Sequence, residues 1–165
     1  KAKLQAELGV SKDKAAELFD QYHAKVPFVK QLMNSASNRA QERGQIRTLL
    51  GRLCRFHLWE PNQFGMHKAM LHEDALREHG PGIRRAYTYK ALNRLIQGSA
   101  ADMTKKSMIE LYKEGITPHI QVHDELDISV DNNADKIKEI MESAVDLEVP
   151  NKVDYESGPN WGTIK

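Results

Sequence analysis

The stretch Ile120-Gln121-Val122-His123-Asp124-Glu125-Leu126-Asp127-Ile128-Ser129-Val130 decides how the last third of this chain folds. Its even positions read Ile, Val, Asp, Leu, Ile, Val, an alternation that predicts β structure. One carboxylate, Asp124, interrupts the apolar stripe. A buried, unpaired carboxylate costs several kcal/mol, so Asp124 needs a partner, a metal or a place at a turn. A hairpin with strands near 119–122 and 126–130 supplies the turn and puts His123, Asp124 and Glu125 at its tip. In that register Ile120 and Val122 share a core-facing side with Leu126, Ile128 and Val130. Neighbouring Asp and Glu suit a hard cation such as Mg²⁺, which prefers oxygen ligands and keeps several waters. An acidic turn is equally compatible with plain solvation. Two carboxylates alone also fall short of a two-metal phosphoryl-transfer site, which needs further oxygen ligands.

Upstream, Leu92, Ile96, Ala100, Met103 and Leu111 recur every three to four residues and predict a long helix from about Ala86, ending at Lys113 and Gly115. Asn93 and Gln97 are four apart and share a helix face. Their amides both donate and accept, as a reader of base edges requires. Gly98, Ser99, Ala100 and Ala101 are small enough to admit another backbone or a nucleic acid. Arg94, Lys105 and Lys106 could meet phosphates. An ordinary helix with a small-residue packing face reads the same way.

The rest of the chain is consistent with a water-soluble α+β domain. It has 165 residues, with 24 Lys and Arg against 23 Asp and Glu, and a formal net charge of +1. The charges are segregated. Arg39, Arg43, Arg47, Arg52 and Arg55 make the middle basic, while Glu139, Glu142, Asp146 and Glu148 help make the last third acidic. That asymmetry fits a polyanion on one side and a cation on the other, or simply two solvated faces. A single cysteine, Cys54, excludes an internal disulfide and fits a reducing, cytoplasmic setting. No apolar run is long enough to span a membrane, and no membrane partner is expected.

Ser11 is predicted to cap a first amphipathic helix, and Pro27 to open a second that ends at Gly44. Residues 45–50 and 53–56 predict a hairpin or a strand and turn, split by Gly51-Arg52. Residues 57–83 read as loops around a short helix near Lys68–Glu78, and their histidines lack zinc-site spacing. Asn132 or Asn133 should open another helix, and a last strand is predicted around Val153 and Tyr155.

Two segments together carry a resemblance: Asn93-Arg94-Leu95-Ile96-Gln97-Gly98-Ser99-Ala100-Ala101-Asp102, and Gln121-Val122-His123-Asp124-Glu125-Leu126. In order and spacing they resemble the C-terminal motifs of family A DNA polymerases. The similarity extends to Thr48-Leu49-Leu50-Gly51-Arg52 and to Ser157-Gly158-Pro159-Asn160-Trp161, and the wording of Lys90–Asp102 looks phage-like. The resemblance implies a template-directed, Mg²⁺-dependent nucleotidyl transfer that uses primer-template DNA and deoxynucleoside triphosphates. It implies that Asp124 is a metal ligand, with Glu125 beside the metals and His123 at the primer terminus. It also implies DNA contacts by Asn93 and Gln97, with Arg52, Lys90 and Arg94 as further candidates.

The sequence departs from the family pattern in two places. Tyr89 stands where the family usually has an arginine, four residues before the helix asparagine, and Lys90 is the adjacent cation. The stretch between Gly51 and Asn93 is longer than in the bacterial enzymes, so residues 57–83 are read partly as an insertion. The family's upstream palm aspartate and nucleotide-binding fingers helix have no counterpart here. The resemblance therefore predicts the C-terminal part of the fingers over 1–85 and part of the palm over 86–165, with an incomplete two-metal site. Such a chain is expected to be inactive alone and to require the N-terminal part of the polymerase. A non-catalytic DNA-binding fragment is the alternative. A metal-dependent nuclease or phosphatase built on Asp124, Glu125 and Asp127 is a third class.

Overall fold

The computed structural model describes residues 2–130 and 132–164. The architecture is α+β, with helices dominant and three separate two-stranded antiparallel sheets. The chain divides into two compact units. The first comprises Lys1–Arg47 and Leu53–Arg94, and the second comprises Thr48–Arg52 and Leu95–Lys165.

In the first unit, α1 spans Ala2–Leu8, α2 Lys12–Lys25 and α3 Pro27–Arg43. The Ser11 hydroxyl accepts from the Lys14 amide at 3.2 Å and caps α2, as the sequence predicts. Serine to alanine here should cost about 1 kcal/mol in a urea titration. Pro27 opens α3, and Gly44 closes it in the left-handed conformation at φ 67°. Strands β1 (Gln45–Arg47) and β2 (Leu53–Arg55) then pair, with Ile46 opposite Cys54, so the predicted hairpin is present.

The side chain of Arg85 ties these parts together. It donates to the Gln41 carbonyl at 3.1 Å and the Phe56 carbonyl at 3.0 Å, and its guanidinium lies 4.5 Å from the Trp59 ring centre. Gly44 leaves room for it, because a Cβ there would lie 2.7 Å from the Arg85 guanidinium carbon. Alanines 15, 36, 40, 75, 86 and 91 are all buried here, with Ile46 and Phe56 as the larger buried apolar side chains.

Residues 57–83 are more ordered than the loop reading predicts. Strands β3 (Trp59–Pro61) and β4 (Ile83–Arg85) form a sheet, with Glu60 opposite Arg84 and an ion pair between them at 3.0 Å. Three-residue strands joined by a long excursion leave too little alternation to detect. The short helix, α4, is His72–His79. It starts later than expected because Met70 exchanges backbone hydrogen bonds with Trp59 at 2.7 and 2.9 Å. His72 packs edge-on against Trp59, which fits a packing role.

The long helix α5 is Ala91–Lys113, preceded by a 3₁₀ turn at Thr88–Lys90 rather than starting near Ala86. Tyr87, at φ 62°, breaks the run before it. In the second unit Leu111 is fully buried, with Ile137 and Val145 also buried. Helix α6 is Ala134–Ser143, with Asn133 at its start.

Two expectations are corrected in this unit. Val153 and Tyr155 lie in no strand. The Val153 amide instead donates to the Glu142 carboxylate at 3.0 Å, which satisfies it without a sheet partner. That bond, with Lys152 nearby, outweighs burial and holds Glu142 below the usual carboxylate range. The second correction is the register of the hairpin at 120–127, described below.

Candidate active site

Strands β5 (Ile120–Val122) and β6 (Glu125–Asp127) pair with Val122 opposite Glu125, Gln121 opposite Leu126 and Ile120 opposite Asp127. The turn is therefore two residues, His123-Asp124, one shorter than the sequence reading assumed. A slip of one residue moves every side chain of a strand to the other face. Cross-strand partners share a face, so Ile120 and Val122 lie with Glu125 and Asp127, while Leu126 lies with Gln121. The even-numbered apolar stripe does not continue around the turn on one face. Ile120 and Val122 remain 41% and 38% exposed.

The cause is local. His123 takes φ 53° and Asp124 does not take a positive φ, the pattern of a tight turn with its left-handed residue first. Glycine usually fills that position, but histidine is among the side chains enriched in the left-handed region. The Gln121 side-chain amide donates to the His123 carbonyl and braces the loop. Asp124 is exposed at the turn and Glu125, also exposed, begins β6.

These adjacent carboxylates have the oxygen chemistry that Mg²⁺ requires. Their number falls short of a complete cage. Among the described residues no three His, Cys, Asp or Glu side chains converge on a metal position.

Asn93 and Gln97 are both exposed on α5, one helical turn apart. Arg94 is half-buried in the first unit, over the Phe56 ring at 4.9 Å and 3.7 Å from the Cys54 sulfur. Lys90 is exposed beside two tyrosine rings. Lys106 pairs with Glu110 one turn along α5.

Arg52 has a defined structural task. Its Nε donates to Asp102 Oδ1 at 2.7 Å and its Nη2 to the Gly98 carbonyl at 2.8 Å. The Leu49 amide donates to Ser99 Oγ at 2.9 Å, and that hydroxyl donates in turn to the Leu95 carbonyl. The turn Thr48–Arg52 is thus pinned to α5 within the second unit. Gly98 permits the approach, since a Cβ there would lie 2.9 Å from the Thr48 methyl. The small residues of α5 therefore admit another backbone, one of the two uses the sequence left open.

The Asp102 side chain is only 8% exposed, and its Oδ2 is buried with no hydrogen-bond partner within 3.5 Å among the described residues. Burial raises its pKa, but the Thr48 hydroxyl and the Arg52 guanidinium outweigh that and hold the carboxyl below its usual value of 3.8. Sequence reasoning missed this pairing. The signal was the four-residue spacing of Gly98 and Asp102, which presents a carbonyl and a carboxylate to one guanidinium.

Comparison with known proteins identifies the family of the chain that carries this turn and helix. The profile of DNA polymerase family A matches residues 1–163. A DNA-directed DNA polymerase of Pseudomonas phage M6 is 38% identical, over 88% of this chain and 19% of its own length. DNA polymerase I of Geobacillus stearothermophilus is 34% identical, over 96% of this chain and 17% of its own length. The chain thus spans less than a fifth of either relative. Among solved structures, the POL domain of Pol1 from M. smegmatis, in complex with DNA primer-template and dNTP, superposes with a TM-score of 0.62. It is 27% identical, over 89% of this chain and 25% of that one. The match runs through both compact units, and by it the chain belongs to DNA polymerase family A.

Proposed function

We propose that this chain is the C-terminal catalytic portion of a template-directed DNA polymerase, acting with further polymerase sequence to extend a primer 3′ end. The observation that carries the reading is the exposed His123-Asp124 turn followed directly by Glu125, in a chain that matches the polymerase family. In this reading 1–85 is the C-terminal part of the fingers and 86–165 part of the palm. Its compartment is the bacterial or phage-infected cytoplasm.

Asp124 would hold Mg²⁺ from the turn, with Glu125 beside it. When bound, the metal ions assist deprotonation of the primer hydroxyl and neutralise charge on the triphosphate. The turn keeps the Asp124 carboxylate in water, and among the described residues no cation pairs with it. His123 contacts the primer terminus. Asn93 and Gln97 donate to the minor-groove acceptors that all correct pairs share, which tests pair shape rather than sequence. Arg52 can reach a DNA backbone only with the N–H groups that Asp102 and Gly98 leave free.

The absence of three converging ligands among the described residues favours inactivity of the chain alone, and keeps a non-catalytic DNA-binding role as the second reading. Primer extension with Mg²⁺ and four deoxynucleotides separates them. The chain supplemented with the rest of a family A polymerase domain should incorporate nucleotides, and the chain alone should not. DNA binding without incorporation in every combination supports the second reading. Robust incorporation by the chain alone contradicts the proposed division of the site.

A further inference from the structure

We propose that Tyr89, with Lys90 and Tyr87, forms a stacking site for an unpaired base of a DNA strand; the proposal rests on the polymerase reading and adds a contact to it.

Tyr89 is 70% exposed, although tyrosine usually buries much of its ring. It lies in the 3₁₀ turn Thr88–Lys90, between β4 and α5. The turn is set by Tyr87 at φ 62°, a conformation that is an outlier for a bulky side chain. The Lys90 amide donates to the Tyr87 carbonyl at 2.9 Å and closes the turn. A strained residue thus fixes two aromatic rings and a lysine in one short segment.

The lysine is the informative member. Its ammonium lies 5.0 Å from the Tyr87 ring centre and 5.7 Å from that of Tyr89. The segment from His79 to Ala101 carries Arg84, Arg85, Lys90 and Arg94 and no acidic residue. Arg84 is paired with Glu60, Arg85 is bound to two carbonyls, and Arg94 lies over Phe56. Among the described residues no carboxylate forms an ion pair with Lys90.

An exposed ring beside an unpaired cation, in an acid-free segment, matches what single-stranded nucleic acid requires. The ring accepts any base face, and the ammonium meets the adjacent phosphate. Asn93, one of the proposed minor-groove donors, follows Tyr89 by four residues, so the unpaired base would lie next to the nascent pair.

The test is DNA binding by the full chain, read by fluorescence anisotropy, on a blunt duplex and on a primer-template with a 5′ overhang. The first unpaired template base is 2-aminopurine, whose emission falls on stacking. Tyr89→Leu keeps apolar bulk but removes the π face, and should weaken binding to the overhang probe about tenfold. It should abolish the quench and leave the blunt duplex within about twofold. Tyr89→Phe should behave as the wild type, because the ring suffices. Equal affinity and quench for Tyr89→Leu would overturn the proposal, as would an equal loss on both probes. Both of those outcomes leave the polymerase reading standing. Failure of the wild-type chain to bind either probe would count against both.

Discussion

Asp124→Ala is expected to lower nucleotide incorporation by the complemented polymerase at least about a thousandfold, equivalent to roughly 4 kcal/mol of barrier. Stability should stay within about 0.5 kcal/mol of wild type, since the side chain is exposed in a two-residue turn. That pairing of effects distinguishes a reacting group from a structural one. Asp127→Ala is the control. Asp127 sits three residues along the chain, at the far end of β6 opposite Ile120, and is half-buried. It should change the rate little. Rate measurement by single-turnover incorporation, with urea titration for stability, decides the matter. Equal rates for wild type and Asp124→Ala would remove the turn from the chemistry.

The second large effect is on folding. Arg52→Ala should destabilise the chain by roughly 3 kcal/mol, because it strands the Asp102 carboxylate in a buried position. Replacing both partners together, as Arg52→Met with Asp102→Leu, should recover much of that loss, since an apolar pair needs no compensation. A double-mutant cycle in urea reads the coupling directly. The pH dependence follows from the sign of the shift. Asp102 has its folded-state pKa depressed below 3.8. Its contribution is therefore complete above the unfolded value and is lost as pH falls from there through the folded value. Wild-type stability should drop over that acid window more steeply than that of the double variant. The Arg52 result also bears on DNA contact. An Arg52→Ala chain that remains folded yet loses DNA affinity would show that the guanidinium serves both tasks.

Much of the helical framework was legible because capping and stop signals are local. Ser11, Pro27, Gly44 and Gly115 act through their own backbone or their nearest amides. The acidic turn was legible too, since a carboxylate in an apolar alternation must be exposed or paired. Its register was not. Whether two or three residues form the turn depends on His123 adopting a left-handed conformation, which composition alone does not dictate. The β3–β4 sheet escaped because its strands are three residues long and separated by an excursion containing α4. The Arg52–Asp102 pair escaped because its members are fifty residues apart. Nothing periodic links them, only the packing of one turn on one helix. Tyr89 was legible as a departure from a pattern. Its partnership with Lys90 and Tyr87 needed the turn geometry.

The central claim is that the turn at Asp124 holds the catalytic metal. The most direct measurement titrates Mn²⁺, a paramagnetic substitute for Mg²⁺, into isotope-labelled chain assembled with the rest of a polymerase domain and primer-template DNA. The account predicts selective broadening of the His123, Asp124 and Glu125 amide signals, absent in Asp124→Ala. Unchanged turn signals, with broadening centred instead on the acidic residues around Glu139, Glu142 and Asp146, would contradict it.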